Sequence, residues 1–142
     1  MPVTLQEASL AFVELMPQIM RGVALDFFVK EGVTQTQFLV LMAIHSYTQC
    51  PMGQLSRALH VSMPTISGVV DRLVHAGLVR RESQPEDRRC VLAELTPKGH
   101  RFIRQFHQVV RIRWEEVLRA LNPSELEMFH RVMTKLRKEI QK

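Results

Sequence analysis

The feature that most constrains the fold is a change in apolar periodicity between residues 62 and 95. From Ser62 to Ala76 the apolar residues recur every three or four positions, which indicates a helix with one buried face. From Leu78 to Ser83, and again from Cys90 to Leu95, the period is closer to two, which is typical of β-strands. Charged and turn-forming residues separate the two strands. The sequence therefore predicts a helix followed directly by a β-hairpin.

Two shorter helices are predicted before this one. Thr34 and Gln37 have the spacing of a capping box, which predicts a helix up to about Tyr47. A short helix is expected from Gly53 to about Leu59, followed by a tight connection. Ser62 then caps the next helix, and Pro64 in its first turn lacks only an N–H that the helix does not need there.

Longer helices are predicted on both sides of this segment. Apolar residues spaced by three or four predict a helix from Leu5 to Val29, with a kink or a broken turn at Pro17. Thr96 and Pro97 begin a helix that runs to about Leu121, and Asn122-Pro123 begins a last helix. The predicted fold class is mainly α with a small β-hairpin wing: a winged helix-turn-helix flanked by N- and C-terminal helices.

The composition is that of a single globular domain. The chain has 142 residues, of which 46% are hydrophobic and 23% are charged. No apolar run approaches the roughly 20 residues of a membrane span, and the N-terminus lacks the pattern of a signal peptide. The two cysteines have neither disulfide-framework nor zinc-site spacing. We therefore expect a reduced, cytoplasmic protein with no membrane partner.

The basic excess is concentrated in the middle of the chain. The formal net charge is +5, and residues 57–113 alone hold 11 basic and 5 acidic side chains, a net +6. Such a patch is what an electrostatic footprint for a polyanion requires. A solvated basic surface without a partner would have the same composition.

The helix that begins at Ser62 presents small and hydroxyl-bearing residues opposite its apolar face. Hydroxyl side chains and the N–H groups of a helix start can bond phosphates, and hydroxyls can also bond bases. Small exposed residues occur on many helices, but here a short helix and a tight turn precede them, as in a helix-turn-helix. We predict that one side of this helix faces the major groove of double-stranded DNA. The residues that line this side are Ser62, Pro64, Thr65, Ser67, Gly68 and Arg72.

The hairpin that follows is rich in arginine. Arg80 and Arg81 lie on its first strand, and Asp87, Arg88 and Arg89 lie at its tip. Arginine on a projecting loop suits the negative potential of a narrow minor groove, although it could also merely keep a turn soluble. We predict that Asp87 accepts a salt bridge that fixes the tip. The order of helix-turn-helix, hairpin and basic tip predicts a winged helix that binds DNA.

Several short runs resemble the MarR family of bacterial and archaeal transcription regulators. The similarity extends from about Leu5 to Ile140, and the Asp-x-Arg wing signature before Leu-Thr-x-x-Gly is its most specific part. The runs that carry the resemblance are Gly32–Phe38, Leu55–Leu59, Val69–Leu73, Gly77–Arg81, Asp87–Arg89 and Leu95–Gly99.

The resemblance implies an assembly and residue roles. It implies a homodimer on a palindromic operator, with residues 34–97 as the DNA-binding lobe and residues 1–31 and 98–142 as dimerisation helices. It implies that Arg89 is the signature partner of Asp87 and contacts the minor groove, and that Arg88 contacts the DNA backbone. It further implies a repressor that a small aromatic or lipophilic ligand releases from DNA. The apolar stripes of the terminal helices also favour a dimer, although they could pack within one chain.

A ligand cavity is predicted where three of the predicted helices meet the DNA-binding lobe. They are the first helix, the second helix, which begins at Gln35, and the start of the fifth helix, which begins at Thr96. Its candidate lining residues are mostly adaptable and apolar, and each of them could equally be ordinary core or dimer interface. They are Phe12, Met16, Met20, Met42, His45 and Phe106.

No catalytic or metal-binding function is expected. None of the six histidines forms a His-x-x-x-His pair, and no motif for nucleophilic catalysis or phosphate binding is present. We expect no cofactor, no metal and no enzymatic activity. Cys90 fits a small packing residue better than a thiol activated by Arg88 and Arg89, and the sequence leaves open whether Cys50 or Cys90 is redox-active. The alternative to a sequence-specific regulator is a winged-helix interaction module that binds a protein or another polyanion.

Overall fold

The computed structural model describes residues 1–23 and 27–142, and most of them are helical. The helices are α1 (Leu5–Val23), α2 (Val29–Glu31), α3 (Gln35–Tyr47), α4 (Met52–Leu59), α5 (Met63–His75), α6 (Pro97–Leu118) and α7 (Pro123–Ile140). The strands are β1 (Cys50–Pro51), β2 (Val79–Ser83) and β3 (Val91–Leu95). This architecture confirms the predicted fold class.

The first predicted helix is formed over most of its length. Helix α1 ends at Val23, and residues 24–26 of the predicted Leu5–Val29 helix lie outside the described residues. Pro17 lies inside α1, which is assigned as one uninterrupted helix, so the broken turn that the sequence allowed there is not formed.

The chain divides into two units. The terminal unit consists of Met1–Gly22 and Val110–Lys142, and the winged-helix unit is Val23–Val109. All three strands and helices α3, α4 and α5 belong to the winged-helix unit.

The sheet of the winged-helix unit has three antiparallel strands in the order β1-β3-β2. The predicted hairpin is formed, with Val79 opposite Leu95 and Ser83 opposite Val91. Strand β1 was not predicted, because two residues cannot show an alternating pattern. Its pairing partner is distant in sequence, since Cys50 lies opposite Ala93.

Side-chain caps define where the helices begin, as the sequence predicts. Thr34 Oγ1 accepts a hydrogen bond from the Gln37 N–H (3.2 Å), and Gln37 Oε1 accepts one from the Thr34 N–H (3.0 Å). Ser62 Oγ accepts from the Thr65 N–H (3.3 Å). These bonds satisfy N–H groups that the first turn of a helix leaves without a partner.

The prediction that one face of α5 belongs to the core is also confirmed. The four apolar residues of α5, Ile66, Val69, Val70 and Leu73, are all buried. Their spacing places them on one side of the helix, so the opposite side remains available to solvent or a partner.

Thr96 joins the start of α6 to the corner between α5 and β2. Its Oγ1 donates to the Gly77 carbonyl (2.5 Å) and accepts from the Gly99 N–H (3.0 Å), and its N–H donates to the Leu78 carbonyl (3.1 Å). A Cβ on Gly99 would lie 2.2 Å from the Leu78 carbonyl oxygen, so only glycine fits this approach. The Leu-Thr-x-x-Gly run is therefore a structural corner.

The terminal unit leaves much apolar surface exposed. Helix α7 has no buried residue, although its apolar residues recur at helical spacing. Phe12 of α1 and Met133, Leu136 and Ile140 of α7 line a groove of about 560 Å³ within this unit. Across the described residues, no helix combines the length and the hydropathy needed to cross a membrane.

Candidate nucleic-acid interface

Helix α5 presents its N-terminal half to solvent. Ser62, Pro64 and Thr65 are exposed, and Ser67 and Gly68 are half-buried. The Ser62 and Thr65 hydroxyls lie 2.9 Å apart and hydrogen-bond to each other. Apart from Met63, which is also exposed, this surface consists of short side chains, so another macromolecule can approach the helix backbone closely.

Gly68 is not explained by packing within the chain. Outside the backbone of its own helix, an added Cβ at Gly68 would meet no heavy atom of the described residues within 4 Å, whereas glycine in a helix interior weakens the helix. The Gly68 position thus has open space on the side of α5 that the sequence assigns to the major groove. Arg72, one turn further along the helix, is also exposed.

The tip of the hairpin is held by backbone hydrogen bonds around Asp87. Asp87 Oδ1 accepts from the Arg89 N–H (3.0 Å), and the Asp87 carbonyl accepts from the Cys90 N–H (3.0 Å). The Gln84 N–H donates to the Cys90 carbonyl (3.0 Å) and closes the loop. An aspartate side chain readily bonds the N–H two residues ahead, and this bond orders the turn.

The structure corrects the prediction that Asp87 accepts a salt bridge. Over residues 1–23 and 27–142, Asp87 forms no ion pair. The contact that the structure shows instead is the hydrogen bond from the Arg89 backbone N–H to the Asp87 carboxylate. The local bond needs no arginine side chain, so the Arg89 guanidinium remains available.

The four arginines of the hairpin fall into two groups. Arg88 and Arg89 are exposed at the tip, and neither has a carboxylate within 4 Å among the residues that the structure describes. Arg80 pairs with Glu94 and, at 3.5 Å, with Glu82. Among the described residues, the charge of the tip pair is therefore uncompensated, whereas Arg80 has acidic partners.

Arg81 points in a different direction from Arg80. It pairs with Asp71 of α5, and its Nη2 donates to the Ser67 carbonyl at 3.1 Å. Successive side chains of a strand lie on opposite faces of the sheet, which explains why these neighbours have different partners. Sequence reasoning missed this link, although the alternation of β2 carried the signal.

Glu94 is the partly buried acid that holds Arg80. Burial raises the pKa of the Glu94 carboxyl, but hydrogen bonds from Gln49 and Arg80 together with the charge of Arg80 outweigh burial. The pKa of Glu94 is therefore lowered from its ordinary value. The Gln49 Nε2 donor lies 3.2 Å from the carboxylate and comes from the residue before β1.

A cleft that the sequence did not predict lies between α4, α5 and the hairpin. Its volume is about 490 Å³, and it includes three arginines and one aspartate: Arg57, Arg81, Arg89 and Asp71. Met52 and Met63 contribute apolar surface to its wall. The cleft adjoins the exposed half of α5 and shares Arg89 with the hairpin tip.

The geometry of this region agrees with comparisons to known proteins. Residues 33–91 match the model of the MarR family. The match covers 59 of the 142 residues of the chain. It spans the helix-turn-helix, the whole loop of the wing and the first residue of β3.

Relatives have been found both by sequence and by structure. The chain is 26% identical over 98 residues to YfiV of Bacillus subtilis, an uncharacterized HTH-type transcriptional regulator; the match covers 69% of this chain and 61% of YfiV. The chain therefore spans less than two thirds of that relative. The crystal structure of RV1404 from Mycobacterium tuberculosis is similar with a TM-score of 0.81 and 24% identity, covering 97% and 95% of the two chains.

A third relative was solved with nucleic acid. The S. aureus MepR F27L mutant bound to an oligodeoxyribonucleotide has a TM-score of 0.73 and 18% identity, covering 98% of this chain and 99% of MepR. These likenesses establish the winged-helix fold. Of these relatives, YfiV is the one that is named a transcriptional regulator.

The two cysteines differ in environment. Cys50 is fully buried in β1, and burial raises the pKa of its thiol. A raised pKa disfavours the thiolate that redox chemistry needs. Cys90 is half-buried at the end of the wing loop.

Three of the six histidines come together on α3 and α6. The ring centroid of His45 lies 6.3 Å from that of His100 and 6.3 Å from that of His107. Over the described part of the chain, no group of three or more histidine, cysteine or acidic residues is arranged to hold a metal ion.

The six residues of the predicted ligand cavity are divided between the two units. Phe12, Met16 and Met20 belong to the terminal unit, where Phe12 lines the groove beside α7. Met42, His45 and Phe106 belong to the winged-helix unit, where His45 is exposed and Phe106 is buried. The cavity remains a prediction.

Proposed function

We propose that this chain is a homodimeric, sequence-specific DNA-binding transcriptional regulator that acts in the cytoplasm. The observation that carries the proposal is the exposed half of α5, with open space at Gly68, beside two arginines whose charge is uncompensated. A helix of short side chains and a basic projecting tip match the two grooves of duplex DNA. The fold shared with MepR, which was solved with an oligodeoxyribonucleotide, supports the same reading.

In this proposal α5 enters the major groove. The residues that face the groove are Ser62, Pro64, Thr65, Ser67, Gly68 and Arg72. Arg72 reaches either a guanine or a phosphate. If it reads a base, Arg72→Ala costs about 1–3 kcal/mol at one position of the site, whereas a phosphate contact gives a uniform loss on all sequences.

The wing supplies the second set of contacts. Arg89 enters the minor groove, where the negative potential of a narrow groove favours a guanidinium, and Arg88 contacts the backbone. Asp87 orients both arginines of the tip, because it orders the loop through the hydrogen bond from the Arg89 N–H.

Dimerisation is proposed from the exposed apolar surface of the terminal unit. Phe12 is 50% exposed and Leu136 is 49% exposed, and both lie in the same groove. Large exposed apolar surfaces of this kind mark interaction sites, and a twofold dimer is the commonest way to bury them. Two copies would read a palindrome whose half-sites lie about 34–36 Å apart or a multiple of this.

The test is a salt-dependent binding titration. A duplex is enriched from a random pool by the purified protein, and its dissociation constant is compared with that of a scrambled duplex by fluorescence anisotropy. We expect a clear preference for the enriched duplex and weaker binding as salt rises. Equal affinity for both duplexes would favour the interaction module over a specific regulator.

We further propose that the protein is a repressor that a small aromatic or lipophilic ligand releases from DNA. Each unit has half-buried, adaptable methionines: Met16 and Met20 lie in the terminal unit, and Met42 lies in the winged-helix unit. Linkage requires that the enriched duplex weaken ligand binding by the factor by which the ligand weakens DNA binding. Calorimetry with a salicylate-like acid, with and without the duplex, tests this: equal ligand affinity in both titrations contradicts release by that compound.

A further inference from the structure

Arg81 connects the wing to helix α5 through its side chain. Its Nη1 pairs with the Asp71 carboxylate, and its Nη2 lies 3.1 Å from the Ser67 carbonyl oxygen and 3.5 Å from the Ser67 Oγ. The Arg81 side chain is 31% exposed. One guanidinium therefore holds two residues of α5 from strand β2.

The two contacts on α5 come from residues four positions apart, the carbonyl oxygen of Ser67 and the carboxylate of Asp71. Ser67 and Asp71 are separated by four positions, so they lie above each other on the same face of the helix. A planar guanidinium that reaches both points fixes the distance of β2 from α5 and also its rotation about the helix axis, because the donor fork is rigid. A single point contact would leave that rotation free.

The charge of Arg81 is already compensated. Asp71 neutralises it within the domain, whereas Arg88 and Arg89 at the tip have no acidic partner in the described residues. An exposed pair of this kind contributes little to stability because solvent screens it. What it does contribute is a fixed geometry between α5 and the strand that leads to the wing tip.

We propose that Arg81 is a positioning residue for DNA recognition, which fixes the wing tip relative to α5 and does not itself bind DNA. This inference rests on the proposed function. With α5 in the major groove, the direction in which β2 leaves the helix decides whether Arg89 reaches the adjacent minor groove. Loss of Arg81 then impairs discrimination between sequences more than general attraction to DNA.

The experiment compares substitutions on the duplex enriched by the wild-type protein and on its scrambled version, each at several salt concentrations. Arg81→Lys keeps the charge but loses the fork, and Arg81→Met removes both. We expect either change to reduce the preference for the enriched duplex roughly tenfold, because the wing tip is no longer held at a fixed position relative to α5. We expect the slope of log affinity against log salt to stay unchanged for both variants.

Two arginines serve as controls. Arg88→Met, at the proposed backbone contact, should reduce the magnitude of the salt slope by about 0.9, as loss of one phosphate-neutralising charge does. Arg80→Met removes a neighbouring arginine of β2 that faces Glu94, and we expect a change in preference of no more than about twofold, as for most surface substitutions. A variant that fails to fold would lose binding to both duplexes, which separates it from a positioning defect.

A double-mutant cycle tests the partner. Asp71→Asn should also lower the preference, and Asp71→Asn combined with Arg81→Met should lower it no further than Arg81→Met alone, because both changes break the same link. Independent, additive losses would contradict the link.

Two other results would overturn the inference. If Arg81→Lys equals the wild type and Arg81→Met lowers the salt slope, Arg81 is a phosphate contact and the positioning role is wrong. If the wild-type protein itself does not discriminate between the duplexes, the proposed function fails and this inference fails with it.

Discussion

At the scale of single residues, two glycines show opposite reasons for lacking a side chain. Gly99 has the Leu78 carbonyl oxygen where a Cβ would stand, at 2.2 Å, so the fold itself requires it. Gly68 has no atom of the described residues within 4 Å of that position beyond its own helix backbone, so the packing seen there does not require glycine. A residue that weakens its helix without a packing reason is best explained by a partner that approaches closely.

Gly68→Ala is predicted to separate stability from binding. The free energy of unfolding should rise by up to about 1 kcal/mol, because alanine stabilises a helix interior relative to glycine. Affinity for the enriched duplex should fall, since the methyl group occupies the space at the proposed interface. Chemical denaturation and anisotropy measure the two effects. Gly99→Ala is the control and should lower the free energy of unfolding by about 1–3 kcal/mol. Unchanged DNA affinity in the Gly68→Ala variant would contradict the proposal that this side of α5 faces the major groove.

Glu94 leads to a prediction about pH. Its pKa is lowered in the folded protein, so its ionised form stabilises the fold, fully above the unfolded value of about 4.5. This stabilisation is lost as the pH falls from there through the lower folded pKa. Glu94→Gln should therefore show a shallower loss of unfolding free energy below pH 4.5 than the wild type. Denaturation curves between neutral pH and pH 3 test this, with the exposed Glu86→Gln as a control; parallel curves would show that Glu94 is not ionically coupled.

At the scale of elements, the sequence predicts what local chemistry determines and misses what distant contacts determine. The start of α3 follows from the Thr34 capping box and the start of α5 from Ser62, because caps are read within four residues. Strand β1 could not be predicted, because its two residues depend on pairing with β3 across the fold. The same holds within the site: the arginine-rich tip was evident, but the partner of Arg81 depends on the packing of β2 against α5.

The wing tip provides a prediction in which geometry and charge oppose each other. Asp87→Ala removes a negative charge near DNA, which by electrostatics alone should strengthen binding. It also removes the acceptor of the Arg89 N–H, so the tip loses order and the guanidinium loses its direction. We expect weaker binding to the enriched duplex in anisotropy titrations. Glu86→Ala removes a neighbouring charge without this bond and should bind slightly more tightly; tighter binding by Asp87→Ala as well would contradict the orienting role.

At the scale of the whole molecule, the two units have different internal support. The winged-helix unit contains a buried core that includes Leu41, Leu55 and Ile66. The terminal unit leaves apolar residues of α7 such as Met133 and Leu136 exposed, and α7 buries none of its residues. Such a surface is unfavourable in water, and a second copy of the chain would supply the missing apolar partner.

The assembly is therefore tested by a charge in the groove of the terminal unit. Leu136→Glu places a carboxylate beside Phe12, where a dimer would bury it without a partner. The substitution should therefore shift the mass in solution from twice the 16.4 kDa of the chain to the mass of one chain. Light scattering after size exclusion measures this. Because a monomer engages only one half-site, affinity for the enriched duplex should fall by about 10²-fold or more. Lys135→Glu introduces the same side chain at the adjacent exposed position and should remain a dimer. A wild-type protein that is monomeric at the concentrations at which it binds the duplex would contradict the proposed dimer and its palindromic site.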